Sequence, residues 1–238
     1  VALLVDQLLM MGIIGTIAIM RDVIEKVKSG ARERTAMPRI TKEDKARNRQ
    51  NILEAASRMF RSQGVDAVGI AELMKEAGLT HGGFYNHFAS KNDLVVEVCG
   101  AAFAASHGSL AQIVDDGPHQ DGSALKRVVD GYLSTAHRDA PDGGCPSASL
   151  VTDAGRHSEA VQSAYAAGVE GYLTGFAAEF LREAEENGHD LDPDEARHKA
   201  MRLLSEMVGA LVLARAVRQV EPELSDEILR AGRGQAVD

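Results

Sequence analysis

Two short apolar-periodic stretches, followed at once by a polar, glycine-bearing aromatic run, constrain this chain more than any other feature. In the first, Ile52, Leu53, Ala56, Met59 and Phe60 fall on one helical face, and Ser62, Gln63 and Gly64 close it with a glycine where positive φ is tolerated. The spacing predicts a helix over about 43–62. In the second, Ile70, Leu73, Met74 and Ala77 form a buried stripe and predict a helix over 70–77. Gly78 breaks that helix, so that Leu79 drops into the core and Thr80 caps a third helix. From Thr80 this third helix places Phe84 and Phe88 one turn apart on the inner side, with His81, Gly82, Tyr85 and Asn86 outward. Two short helices joined by a tight turn, the last of the set polar and glycine-bearing, are what a DNA major groove accepts.

The chemistry of the outward face suits a duplex. Amides at the start of the third helix point outward at the positive end of its dipole, where a phosphate oxygen accepts from them. Gly82 and Gly83 carry no side chain and let the backbone approach the groove. His81 and Asn86 reach base edges, Asn86 most naturally at adenine, while Tyr85, His87 and Lys91 are better placed for phosphates. The competing reading makes Tyr85, His87 and Phe88 core aromatics of a small helical bundle.

From Arg49-Gln50-Asn51-Ile52-Leu53-Glu54-Ala55-Ala56 through Phe60, Gly64, Ile70, Ala71, Ala77-Gly78-Leu79 and Gly82-Gly83-Phe84-Tyr85-Asn86-His87-Phe88 to Ser90-Lys91-Asn92-Asp93-Leu94, the chain resembles the amino-terminal domain of TetR-family transcriptional regulators. The resemblance implies three helices with the third as recognition helix, and a fourth, beginning near Ser90 and Lys91, that leads into a ligand-binding domain. It implies base or groove contacts on Thr80, His81, Gly82, Gly83 and Asn86, and phosphate contacts on Tyr85, His87 and Lys91. Gly69 departs from the pattern: it stands where the family usually has a threonine or serine cap for the second helix, which puts that cap in doubt.

The remainder reads as all-α. A 45% hydrophobic content with only 4% aromatic residues and many alanines fits closely packed helices, and few windows show the alternation of strands. The expected domains are an extension over 1–36, a helix-turn-helix domain over 37–92 and a helical effector-binding and dimerisation domain over 93–238. The net charge of −9 argues against nonspecific coating of nucleic acid. Charge is nearly balanced from 37 to 100, however, and Arg39, Lys42, Lys45, Arg47 and Arg49 lead into helix one, either as a basic arm or as a solvated approach.

Residues 1–36 stand apart. The first twenty are strongly apolar but lack the basic start and small-residue cleavage site of a secretory signal. Met37-Pro38-Arg39-Ile40-Thr41-Lys42 looks like an ordinary regulator start, so the preferred expectation is upstream reading frame. A genuine extension packing on the protein and a marginal membrane anchor are the alternatives. A cytoplasmic protein without membrane attachment is expected.

Beyond Asn92 the expected helices cover 94–111, 125–138, 149–154, 158–187 and 194–220, with loops at 115–122 and 141–146. The penultimate helix shows a small-residue face of Ala164, Ala167, Gly168, Gly171 and Gly175, and the last is apolar beyond one stripe at Leu203, Leu204, Met207, Val208, Ala210, Leu211, Leu213 and Ala214. This pair points to association, and the resemblance implies a homodimer joined through a four-helix bundle, reading a pseudo-palindromic operator on double-stranded DNA. The resemblance also places an effector pocket among these helices, with Phe103, His107, Tyr132, His137, Tyr165, Tyr172 and Phe176 as candidate walls. Alanine-rich surroundings with few cations favour a small, mostly apolar effector. No cofactor is called for, and the histidines and cysteines show no metal-ligand spacing.

Cys99 reads as a small buried hydrophobe. Cys145, in a glycine-proline turn before a helix, is either a turn cysteine or an exposed thiolate able to sense oxidants or electrophiles. An enzyme built on Cys145, Asp153 and His157 lacks an oriented base and an oxyanion site. A helical interaction protein would not need the Gly82-Gly83-Phe84-Tyr85 face.

Overall fold

The computed structural model describes residues 41–115 and 123–235, together with Arg21, Glu25 and Lys26. The expectations for 1–36 therefore lie outside the described residues, those three apart. Two compact units divide between Lys45 and Ala46. Between residues 41 and 235 the described residues form ten α-helices and one 3-10 helix: α1 (Lys42–Gln63), α2 (Ile70–Glu76), the 3-10 helix His81–Asn86, α3 (Lys91–Asp115), α4 (Ala124–Tyr132), α5 (Thr135–Asp139), α6 (Pro146–Ser149), α7 (Val151–Ala154), α8 (Glu159–Glu186), α9 (Pro193–Val217) and α10 (Pro222–Gln235). No strand occurs among the described residues, as an all-α chain requires.

The head forms as its apolar spacing dictates. Ile52, Ala56 and Phe60 of α1 are buried against Leu73 and Met74 of α2 and against Phe84. Gly64 and Gly78 both adopt positive φ, at 85° and 72°. After Gly78 the chain closes a Schellman turn: the Gly78 amide donates to the Lys75 carbonyl at 3.0 Å and the Leu79 amide to the Met74 carbonyl at 2.8 Å. That turn folds partly buried Leu79 back against the core and aims the chain into the 3-10 helix.

Several boundaries differ from expectation. The third helix is a 3-10 segment, and Thr80 caps it without a side-chain hydrogen bond. Gly69 likewise gives α2 no side-chain cap. The helix expected over 125–138 is broken at Leu133, and Ser134 recaps α5 by accepting from the His137 amide at 3.1 Å. The short helix before α8 is two four-residue pieces, α6 and α7. Helix α10, begun by Pro222, was not anticipated.

In the body, α8 packs on both α3 and α9, and α9 on α10. Gly168 and Gly171 of α8 serve rings from α3 rather than a helix backbone. A Cβ on Gly168 would stand 2.2 Å from the Phe103 ring, and one on Gly171 2.3 Å from His107. Helix α3 is long and apolar enough over Lys91–Ile113 to cross a membrane; in this fold its apolar side carries Leu94, Val98 and Phe103 into the core.

Candidate nucleic-acid interface

The outward face of the 3-10 helix is built by burying its other side. Phe84 and Phe88 point inward with ring centroids 5.7 Å apart, and the pitch between them leaves His81, Gly82, Tyr85 and Asn86 exposed. Tyr85 is 64% exposed, although its ring meets Phe84 edge-on at 5.2 Å. A large aromatic held in solvent by a packed neighbour is poised for a partner surface. Thr80 is also exposed. Gly83 is half-buried, its missing Cβ lying 3.5 Å from the Met74 methyl, and His87 is half-buried too. The first amides of the segment, on His81 and Gly82, precede the first internal bond, from the Gly83 amide to the Thr80 carbonyl at 2.9 Å.

Lys91 has a structural task. Its ammonium donates to the Val65 carbonyl at 2.7 Å and lies 6.0 Å from the Phe60 ring, tying the start of α3 to the turn after α1. Ser90 and Asp93 cap α3 reciprocally: the Asp93 amide donates to Ser90 Oγ at 3.1 Å, and that hydroxyl donates to the Asp93 carboxylate at 2.9 Å. Of the basic lead-in, Arg49 packs over Phe88 at 4.7 Å and donates to Glu97 of α3 at 2.7 Å. Arg47 is exposed, and Arg39 lies outside the described residues.

Behind the head, the segment from Gly143 to Ser158 bridges it to the body. Arg61, in the last turn of α1, donates to the Gly144 carbonyl at 2.8 Å while holding Ser57 with two further N–H groups. The Val65 amide donates to Asp153 at 3.1 Å, and Ser158 donates to Asn92 at 2.7 Å. Sequence reading passed over Arg61, because its meaning lies in a carbonyl far along the chain.

Two cavities share Leu110 and Val128, and the second of them adjoins this bridge through Gly143, Gly144 and Cys145. One, of about 370 Å³, is mostly apolar and is walled by His107, Tyr172 and Phe176, with Glu179 and Arg182 on its border. The other, of about 340 Å³, is lined by Tyr132, His137, Cys145 and Arg61. Five of the seven candidate wall residues thus face a cavity. Phe103 and Tyr165 stand behind the walls: Phe103 is 2% exposed and meets Tyr165 edge-on at 5.4 Å, and the Tyr165 hydroxyl donates to the Ser147 carbonyl at 2.7 Å.

Cys145 is buried, so the exposed thiolate of the sequence reading is not what the fold presents. Its sulfur lies 2.9 Å from Ser147 Oγ and 3.2 Å from the Tyr172 hydroxyl, which itself donates to Ser106 at 2.6 Å. Burial pushes the Tyr132, Tyr165 and Tyr172 hydroxyls well above their ordinary range, keeping them protonated donors. Burial also lowers His137, whose Nε2 accepts from the Cys145 amide at 3.0 Å while Nδ1 meets the Tyr132 carbonyl at 2.7 Å. That pairing fixes a neutral ring with its proton on Nδ1. Cys99 is buried as expected, its thiol pushed to about 11 by burial.

The family model described as bacterial regulatory proteins, tetR family, matches residues 52–98, and that described as tetracyclin repressor-like, C-terminal domain, matches 123–226. Between them the two spans take in more than half of the sequence. The chain belongs to the TetR family. It is a sequence-specific DNA-binding transcriptional regulator and not an enzyme. AcrR of Shigella flexneri is 44% identical over 62 residues, which are 26% of this chain and 29% of that protein. NemR of Escherichia coli K12, named a transcriptional repressor, is 26% identical over 73% of this chain and 87% of its own length. The solved reduced form of Escherichia coli NemR superimposes with a TM-score of 0.64 at 24% identity, covering 80% of this chain and 95% of that one. A TetR-family regulator from Cytophaga hutchinsonii gives 0.65 at 19% identity, covering 83% and 96%. The match over 52–98 takes in the 3-10 segment His81–Asn86.

Proposed function

We propose that this protein is a homodimeric, ligand-responsive repressor of the cytoplasm, released from a pseudo-palindromic operator when a small molecule enters the body. The observation that carries the reading is the clasp between the head and the cavity wall. The helix that supports the recognition segment carries Arg61 in its last turn, and Arg61 holds the Gly144 carbonyl at the edge of a cavity large enough for a small ligand. A ligand that favours one placement of residues 143–145 over another shifts the head by the difference in its affinity for the two.

In this reading His81 and Asn86 meet base edges, Thr80, Gly82 and Gly83 let the backbone enter the groove, and Tyr85 and His87 meet phosphates. Lys91 contributes by setting the angle of α3, with hydrogens left over for a phosphate. Much of the apolar stretch of α9 is taken up within the subunit, since Leu203, Leu204, Met207, Leu211 and Ala214 are buried. The dimer face then falls to what stays outside, notably Leu213, 58% exposed, and Val220, 78% exposed. Repression rather than activation is the simpler requirement: occluding a promoter needs binding alone. Sensing through the Cys145 thiol is the lesser reading, because the sulfur is buried within a hydroxyl network.

The test is binding of the purified protein to labelled DNA from immediately upstream of its own gene, at stated salt, with unrelated DNA as competitor. Retention against a large competitor excess is expected. Equal loss on both DNAs, in the full chain and in a chain begun at Met37, would remove the proposal.

A further inference from the structure

The polar end of the 340 Å³ cavity is chemically one-sided. His137 is saturated, with both ring nitrogens engaged on the backbone of Tyr132 and Cys145. The Ser109 hydroxyl donates to the Ala105 carbonyl of its own helix at 3.2 Å. The Cys145 sulfur is shared between Ser147 and Tyr172. What stays available is a set of donors. The Tyr132 hydroxyl is buried beside Cys145 and Ser147 and makes no hydrogen bond of full geometry among the described residues. A buried hydroxyl in that condition is destabilising unless something else fills the need. Arg61 commits Nε and one N–H on each terminal nitrogen to Ser57 and Gly144, and a guanidinium has further N–H groups to give. Burial weighs against its charge, and Asp142 offsets that cost only in part. Around these donors the wall is Ala102, Ala105, Leu110, Ile113 and Val128.

We propose that this cavity binds a small amphipathic carboxylate, and that its anchor is Arg61, a residue of the DNA-binding head itself, with the Tyr132 hydroxyl as second donor. The proposal rests on the regulator reading above and adds the ligand class and the route of its effect. A carboxylate accepts from both donors at once, and an Arg–carboxylate pair in a partly buried site gains from charge and fork geometry together. The hydrocarbon part lies on the alanine and aliphatic wall and extends past Leu110 and Val128 into the larger cavity. A cationic ligand is disfavoured by Arg61 and by Arg215, which is anchored close by on the His137 carbonyl at 2.8 Å. The bound carboxylate competes with the Gly144 carbonyl for the Arg61 guanidinium. The ligand thus acts on the last turn of α1 directly, without a relay through the body.

The experiment is calorimetric titration of the full chain, without DNA, with benzoate, 4-phenylbutanoate and octanoate, and with the amide and amine of each skeleton. At least one carboxylate should bind, its amide about tenfold or more weaker and its amine not detectably. Tyr132→Phe should weaken that carboxylate about tenfold or more while the melting temperature holds or rises, because a buried hydroxyl lacking a full hydrogen bond has been removed. Arg61→Gln should abolish binding and Arg61→Lys retain part of it; if the Arg61 variants fail to fold, Tyr132→Phe alone decides. No binding by any of the three acids at millimolar concentration, an amide equal to its acid, or full affinity in Tyr132→Phe would overturn the proposal. Fluorescence anisotropy on the upstream DNA then separates the two claims. Sound DNA binding with no carboxylate bound refutes the ligand class and leaves the regulator standing. Carboxylate binding with no specific DNA binding refutes the regulator and leaves the site. Release of DNA from the native chain, but not from Tyr132→Phe at the same ligand concentration, supports both.

Discussion

At the residue scale, small side chains in α8 do different work according to what stands opposite them. Gly168 makes room for the Phe103 ring, so Gly168→Ala forces an overpacked contact and should cost about 1–3 kcal/mol. Gly175 has nothing within 4 Å of where a Cβ would stand, so Gly175→Ala should stabilise the helix by up to about 1 kcal/mol. Thermal melts of the two variants check the contrast, and equal shifts would remove the account of Gly168. His137 supplies a pH dependence whose sign is fixed by burial. The fold favours its neutral form, so its folded pKa lies below the unfolded value of 6.5. Its contribution is complete above that value and is lost as pH falls through the lowered folded pKa. The urea midpoint should therefore drop more between pH 7.5 and 5.5 in the native chain than in His137→Gln, which loses the titration but keeps a polar side chain.

At the scale of elements, the recognition segment and the start of α3 are separable. Tyr85 is mostly exposed, so Tyr85→Ala should lower affinity for every DNA sequence and flatten the salt dependence little, with the melting temperature nearly unchanged. Lys91→Ala should lower both affinity and melting temperature, because the Val65 carbonyl loses its donor and α3 its tether. If Lys91→Ala melted like the native chain, its role would be the phosphate contact alone. The apolar spacing of α1 and α2 and the glycine at each turn are legible before any fold is known, since period and positive φ are local properties. The 3-10 form of the third helix is not. Phe84 and Phe88 fit the inner side of either helix type, and the choice rests on how the Schellman turn after Gly78 delivers the chain onto α1 and α2.

At the scale of the whole molecule, the apolar excess of α9 reads in sequence as an interface, and most of it is core. Helix α10, missed in sequence although Pro222 and an apolar face through Leu224, Ile228 and Leu229 announce it, covers part of α9 and buries Leu229 there. What remains outside makes Leu213→Glu the sharpest test of assembly. Sedimentation should show a folded monomer with far weaker operator binding, since one head alone reads only half of a two-fold site. A dimer that persists unchanged would place the interface elsewhere. The helical class, the head with its buried phenylalanines and exposed reading face, and the family are all written in the chain alone, because each rests on residues within a turn or two of one another. That Arg61 reaches the cavity, that Cys145 is sheltered by Ser147 and Tyr172, and that Gly168 receives a ring emerge only when the helices pack. Each of these joins side chains to partners on separate elements, and a pairing made by packing leaves no periodic trace in either segment.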